Sequence, residues 1–412
     1  MSGCHVRTIN ADSTPRVHFE EIATDGGPFP EASWRGRISR VSASEELRAE
    51  IRRFITDELA DGGFTPHCDS WLVGFDPQFS ARLGARRLIG LMLPSAFGGR
   101  GLGMAERLIV SEELLAAGAP VAAHWFAERQ FAPSLLRHGT SEQQDEWLPR
   151  ITRGEAWIAI GLSEADAGSD LAAIRTRADR VEGGWSIAGS KLWSSGAHHA
   201  HAIVVLARTD QPRQGAPRHE GLTQFIVRLP HPQVEIRPIP LISGEHHFNE
   251  VTFGDAFVSD ADVLGPIGNG WTQAMQELAF ERAGPERYLS TLPLLQELLI
   301  GLNARAQSTE QLGRCIADIT SFRTLNQRVV EHLESGSTAA TDIPLLKSLG
   351  TSFEQSTIEL ALDLAADVHR ASEPTAHARR LLAEAQFQSP GFTIRGGTNE
   401  VLRGIVSRGL TR

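Results

Sequence analysis

The apolar residues of this chain change period twice, from helical to alternating and back. That double switch limits the fold more than any single motif does. Ser42 and Glu45 stand at capping-box spacing ahead of Leu47, Ile51, Phe54 and Ile55, so the first helix is expected to begin near residue 42. Helical spacing then predicts segments over 76–89, 105–117, 121–138 and 141–152. Around Ile158 the pattern becomes short β-branched runs at 202–206, 223–227, 234–236 and 251–258, parted by Gly, Pro or charge. The helical period returns over 271–283, 288–305, 311–334, 344–369, 375–387 and 399–410, as leucine-rich segments with short breaks. The expected fold is α+β: an N-terminal helical domain over 42–155, a middle antiparallel β domain over 156–268, and a C-terminal α-helical bundle over 269–412. A polar extension, 1–41, precedes them.

Bulk properties narrow the function. A length of 412 residues supports several domains with a sizeable core. The net charge of −10 argues against a nucleic-acid partner, which would call for a basic face. Cys4, Cys68 and Cys315 are widely spaced and odd in number, so no disulfide framework can be built; a reducing cytoplasm fits. No apolar run approaches the ~18–20 residues of a membrane span. His198, His199 and His201, with His246 and His247, are the one set that invites a metal. Adjacent histidines on a strand point to opposite faces, however, and no metal is expected there.

Chemistry is concentrated in two stretches. Residues 160–170 read Ile-Gly-Leu-Ser-Glu-Ala-Asp-Ala-Gly-Ser-Asp, and residues 191–196 read Lys-Leu-Trp-Ser-Ser-Gly. The first follows a short apolar run, as if a strand ended in a polar loop. Such a loop can aim backbone N–H groups and the Ser163 and Ser169 hydroxyls at an anionic or heteroaromatic ligand. Trp193, between Leu192 and Ser194, offers a flat apolar face with hydrogen-bonding groups beside it.

In this order, and followed by Thr176, Gly189 and Lys191, the stretches resemble the flavin-binding signature of the acyl-CoA dehydrogenase family. Further landmarks resemble it in sequence: 95–103, Glu112 to Leu114, His138-Gly-Thr140, 248–253, Gly268-Asn-Gly-Trp271 and 397–403. The resemblance implies an FAD-dependent oxidoreductase that removes the α-proton of an acyl thioester while a hydride leaves Cβ for the flavin. Carried over by position, the FAD contacts are Leu162, Ser163, Gly168, Ser169, Trp193 and Ser195, with Thr398 and Glu400 near the C-terminus. Ser195 would donate to the reactive edge of the isoalloxazine, and Ser169 would touch the pyrophosphate or the pantetheine. The resemblance also implies a dimer or tetramer, homo- or hetero-oligomeric, and electron-transfer flavoprotein as a partner.

Two departures from the family pattern matter. Many members carry a glutamate base immediately before the Gly-Thr of the C-terminal motif, where this chain has Gly396. Other members place the base in a Leu-x-x-Glu-Arg pattern on the first helix of the C-terminal domain, and residues 278–282 read Leu-Ala-Phe-Glu-Arg. The catalytic pair implied is therefore Glu281 as base and Gly396 as a backbone donor to the thioester carbonyl, with Leu278 and Arg282 as substrate-side neighbours. Otherwise Glu281 is a solvated helix residue paired with Arg282 or Arg287. Pro285 is expected to kink that helix. The second departure is the lack of the family's Arg-x-x-Phe-Gly and Gln-x-x-Gly-Gly segments around 307–322 and 364–369; Ala365-Ala-Asp367 stands where glycines would. A shortened C-terminal region of this kind resembles that of actinobacterial steroid-degrading members. It leaves open a non-catalytic or half-site subunit of a hetero-oligomeric acyl-CoA dehydrogenase. A flavin oxidase or oxygenase on the same fold, and an acyl-carrier protein in place of CoA, are also left open.

Overall fold

Helix α1 runs over Glu31–Ala60, so Ser42 lies inside the helix and not at its start. Nothing between Pro30 and Ser42 except Gly36 opposes helix, and one glycine costs only about 1 kcal/mol. In this computed structural model residues 31–301, 306–336, 339–366 and 375–411 are described. The rest of the 1–41 extension, and the 367–369 end of the predicted 344–369 helix, lie outside them.

The N-terminal helices continue as α2 (Ser70–Val73), α3 (Pro77–Ala85), α4 (Met104–Ala116), α5 (Ala122–Phe126), α6 (Ala132–His138) and α7 (Ser141–Thr152). Asp76 caps α3, its carboxylate accepting from Phe79 N at 2.8 Å. A π-helical turn, Ala127–Phe131, joins α5 to α6, so the segment predicted over 121–138 is nearly continuous. Thr140 and Gln143 form a reciprocal capping box on α7.

The sheet contains β1 (Ile158–Gly161), β2 (Arg177–Val181), β3 (Gly184–Lys191), β4 (Ala202–Arg208), β5 (Leu222–Arg228), β6 (Val234–Ile239), β7 (Phe248–Ser259) and β8 (Val263–Leu264). Its order is β6-β7-β3-β2-β4-β5-β8, with β1 beside β4. The pairings are antiparallel except β1 on β4 and a single parallel contact between β2 and β4. The β2–β3 hairpin escaped the sequence reading because only Ala178 of β2 is buried, so the strand shows no apolar alternation.

The chain closes with α8 (Gly270–Arg282), α9 (Leu292–Gly301), α10 (Ala306–Glu334), α11 (Asp342–Ala366), α12 (Ala376–Phe392) and α13 (Asn399–Leu410). Pro285 does not kink α8. The helix has already stopped at Arg282, and Pro285 opens a 3-10 turn over Pro285–Arg287. With no N–H and a fixed φ, proline suits the first position of a new turn better than a continued helix. One core joins the two helical regions: Ile51 and Phe54 of α1 share it with Leu114 of α4, Leu295 of α9 and Phe322 of α10. Between these helices and the sheet lies the surface on which the two signature stretches meet.

Candidate active site

The two loops are tied by one buried ion pair. Lys191, at the end of β3, is fully buried and donates to Glu164 Oε1 at 2.8 Å and to the Leu162 carbonyl at 3.0 Å. Burial pulls the Lys191 ammonium down to about 8, with Glu164 opposing the shift. Glu164 also accepts from the N–H groups of Arg175 and Thr176 at 2.7 and 2.9 Å. Leu192 N donates to the Ser163 carbonyl at 2.9 Å, so the backbones of the two stretches adjoin directly.

This cradle suits a flat, polar cofactor. Trp193 is 53% exposed and sits at φ 63, a conformation rare for a bulky side chain. The hydroxyls of Ser163, Ser169 and Ser195 make no hydrogen bond to another described residue, and a Cβ on Gly168 would meet nothing within 4 Å. Donors without protein partners, beside an exposed indole and an open glycine, fit a flavin with its pyrophosphate. Leu162 and Leu278 pack on one small core with Ala167, Leu206 and Ala274, which seats α8 against the loop.

On α8 the side chain of Glu281 is 18% exposed, and its Oε1 accepts from Nη2 of Arg287 at 3.0 Å. Arg287 also donates to the Glu281 carbonyl, from Nε at 3.2 Å and Nη2 at 3.0 Å. Glu281 therefore has Arg287 as its partner, as one reading of the sequence had it. The pair is not solvated: the Arg287 side chain is 0% exposed. Gly396 lies directly opposite at φ +66, and a Cβ built on it would stand 3.0 Å from Glu281 Oε1 and 3.1 Å from Arg287 Nη2. Arg282 donates from Nε to the Gly396 carbonyl at 2.7 Å and so fixes the peptide that follows. Glu281, Arg282 and Gly396 are thus brought together from opposite ends of the C-terminal bundle.

Thr398 caps α13, its hydroxyl accepting from Val401 N at 3.3 Å, while Glu400 is exposed in the first turn. Asn399 is buried and accepts from Lys347 Nζ of α11 at 2.9 Å, which anchors the loop from behind. Burial and the positive charges of Arg287, Arg395 and Arg282 pull Lys347 down to about 7.

Several residues of this site were not legible as such. Arg395 donates from Nη2 to Asp69 Oδ1 at 2.7 Å, across the boundary between N- and C-terminal helices. Two guanidiniums lie against the indole of Trp71, Arg287 at 5.1 Å and Arg395 at 4.7 Å from its ring centre. Behind them Arg129 pairs with Glu286 at 2.9 Å, with side-chain exposures of 2% and 0%. One helical turn before Glu281, on the same side of α8, Glu277 accepts from Gln224 Nε2 at 3.0 Å. Desolvation raises its carboxyl to about 7. These residues come from separate segments, and only the Glu-Arg pairs at 281–282 and 286–287 carry a local signal.

The histidines are not on a strand, contrary to the sequence expectation. His198 and His199 occupy the turn before β4, and their rings are gathered, not splayed: His198 lies 4.0 Å from His246 and 4.0 Å from His199 between ring centres. Among the described residues no three His, Cys, Asp or Glu side chains converge as a metal set would. The two segments predicted to lack the adenine-end motifs fall on α10 and the end of α11, and 367–369 lies outside the described residues.

Comparison with known proteins gives the same architecture. Residues 42–155 match the acyl-CoA dehydrogenase N-terminal domain, 159–256 its middle domain and 300–411 its C-terminal domain. The chain is 34% identical to acyl-CoA dehydrogenase FadE34 of Mycobacterium tuberculosis (strain ATCC 25618 / H37Rv) over 76% of its own length, but the match spans only 43% of that protein. The solved Tcur3481-Tcur3483 steroid ACAD superposes with a TM-score of 0.78 at 26% identity, covering 90% of this chain and 98% of that one. The ChsE4-ChsE5 complex from Mycobacterium tuberculosis superposes with a TM-score of 0.75 at 26% identity, covering 90% and 97%. Among the described residues no helix is long and apolar enough to cross a membrane. With its helical, β and helical regions in this order and matched by three successive domains of one family, the chain belongs to the acyl-CoA dehydrogenase family.

Proposed function

We propose that the protein is an FAD-dependent dehydrogenase of an acyl thioester, forming the α,β-unsaturated acyl product with Glu281 as the base. One observation carries the reading: the Glu281 carboxylate fills the space where a side chain on Gly396 would begin, 3.0 Å from that Cβ position. A carboxylate is thus available at the C-terminal glycine motif although the motif itself has none.

Bound FAD supplies the hydride acceptor. The chain's own residues do the rest. Glu281 takes the α-proton onto a carboxylate oriented by Arg287, whose two contacts to the Glu281 carbonyl also hold the helix end. The Gly396 N–H donates to the thioester carbonyl and stabilises charge that develops as the proton leaves. Arg282 fixes the next peptide through the Gly396 carbonyl and so acts as a positioning residue for the Gly396 N–H. Leu162, Ser163, Gly168, Ser169, Trp193 and Ser195 hold the flavin from the β domain, with Thr398 and Glu400 beside α13. Leu278 closes the floor between loop and helix.

The test is anaerobic mixing of flavin-loaded protein with acyl-CoA. Glu281→Ala should slow flavin bleaching by at least a hundredfold, since a general base contributes about 10²–10⁴. An unchanged rate removes Glu281 from the mechanism.

A second reading concerns assembly. The two solved neighbours above are each named for two different chains. Together with the missing adenine-end motifs, this supports a hetero-oligomer whose second subunit completes the FAD site. Protein purified alone and carrying stoichiometric FAD as a homo-oligomer would refute that assembly. Electron-transfer flavoprotein is the proposed acceptor, and rapid reoxidation by oxygen would point to an oxidase instead.

A further inference from the structure

Beside the Ser195 loop is a cavity of about 50 Å³ that the mechanism above does not use. Phe75, Phe126 and Trp157 line it together with Ser195 and the imidazoles of His198, His199, His246 and His247. A water needs about 10–15 Å³ measured this way, so the space takes only a few heavy atoms. His247 is 7% exposed, and neither of its ring nitrogens has a hydrogen-bond partner among the described residues. Its backbone is fixed: its carbonyl accepts from Gly196 N at 2.8 Å and from Asn249 Nδ2 at 3.1 Å. The buried side chain on this fixed backbone has both polar atoms unpaired, a condition native interiors rarely tolerate without a ligand or water.

The chemistry of the group is set by its surroundings. Burial keeps the imidazole neutral, its value pulled down to about 4, so it presents one donor and one acceptor. A metal does not suit the cluster, because the neighbouring His198 and His246 rings stack at 22° and do not converge. A carboxylate ligand would meet a neutral ring and gain no ion pair. A hydroxyl or keto oxygen matches the ring with no charge to bury.

The location ties this space to the acyl group. Leu72 of α2 lines the cavity, Arg395 rests 4.7 Å from the ring centre of the adjoining Trp71, and Arg395 immediately precedes Gly396. On the reading given under Proposed function, Ser195 marks the flavin edge and Gly396 the thioester carbonyl. On that reading the cavity, lined by Ser195, opens beside the flavin edge at which the Cα–Cβ bond is oxidised. Resting on that reading, we infer that His247 is a specificity residue for acyl groups bearing a hydroxyl or keto oxygen distal to the Cα–Cβ bond.

The experiment compares three thioesters with one skeleton: the CoA esters of 3-cyclohexylpropanoic, 3-(4-hydroxycyclohexyl)propanoic and 3-(4-oxocyclohexyl)propanoic acids. Binding to the flavin-loaded protein is read by calorimetry, and turnover by anaerobic flavin bleaching. The expected result is that at least one oxygenated ester binds about fivefold to tenfold more tightly than the hydrocarbon, the effect of one or two neutral hydrogen bonds. His247→Phe should bring the three within twofold, and His247→Gln, which keeps a donor and an acceptor, should retain part of the preference. Should His247→Phe fail to fold, the wild-type series and His247→Gln decide the matter. Equal binding of the three esters overturns the inference, as does a preference that survives in His247→Phe. Loss of flavin in place of loss of preference also overturns it, since the flavin ring would then fill the cavity. Bleaching by none of the esters would sink the dehydrogenase reading separately, while the calorimetric preference would still decide this one.

Discussion

Moving the carboxylate from one side of the gap to the other tests the geometry directly. Gly396→Glu alone places a second acid against Glu281, whose Oε1 lies 3.0 Å from the new Cβ. With φ at +66, any side chain at this position also carries backbone strain of about 1–2 kcal/mol. Two carboxylates about 5 Å apart at an effective dielectric near 20 repel by roughly 3 kcal/mol. Arg287 lies between them and the Glu281 side chain is 18% exposed, so on the order of 1–3 kcal/mol should remain. Glu281→Ala/Gly396→Glu keeps the backbone strain and loses the repulsion. Urea unfolding of the flavin-loaded proteins should therefore give a coupling of about 1–3 kcal/mol between the two positions. The double variant should recover part of the flavin bleaching lost in Glu281→Ala, whereas Gly396→Glu alone should not exceed wild type. Additive stabilities, with no coupling beyond ~0.5 kcal/mol, would mean that Glu281 does not face Gly396 and would refute the argument.

Arg129→Met removes the nearer partner of Glu286, which is 0% exposed and retains Arg287 Nε at 3.9 Å, and should cost about 3 kcal/mol by urea unfolding. Arg129→Met/Glu286→Met should recover much of this; a single-variant loss under ~1 kcal/mol would contradict the buried pair. Glu277, raised by burial from the ordinary carboxylate value near 4.5 to about 7, holds a proton in the folded state that the unfolded chain releases between those values. Its stabilising contribution is complete below about pH 4.5 and is lost as pH rises through about 7, on the order of 3 kcal/mol in all. Glu277→Gln should flatten the fall in stability between pH 5 and 7, and an unchanged slope would show that another group carries it.

Helix α8 could be read from the sequence because its apolar spacing and its Leu-x-x-Glu-Arg pattern fall in one continuous segment. The partner of Glu281 could be named but not placed. Arg287 lies beyond the helix end, and only the 3-10 turn opened by Pro285 swings it back beneath the carboxylate. The Asp69–Arg395 pair and the Trp71 contacts join segments more than two hundred residues apart, and no local pattern encodes such a meeting. Strand β2 was missed because its charged residues face outward. The histidines were misjudged because period-two reasoning was applied to what is a turn.

The indole of Trp71 has a consequence for how the two helical ends of the molecule communicate. Arg287 grips the Glu281 carboxylate with one end of its guanidinium and rests on this ring. Arg395 rests on the same ring and leads straight into Gly396. Displacing α2 would loosen both supports at once, so this short helix braces the two sides of the Glu281–Gly396 gap together.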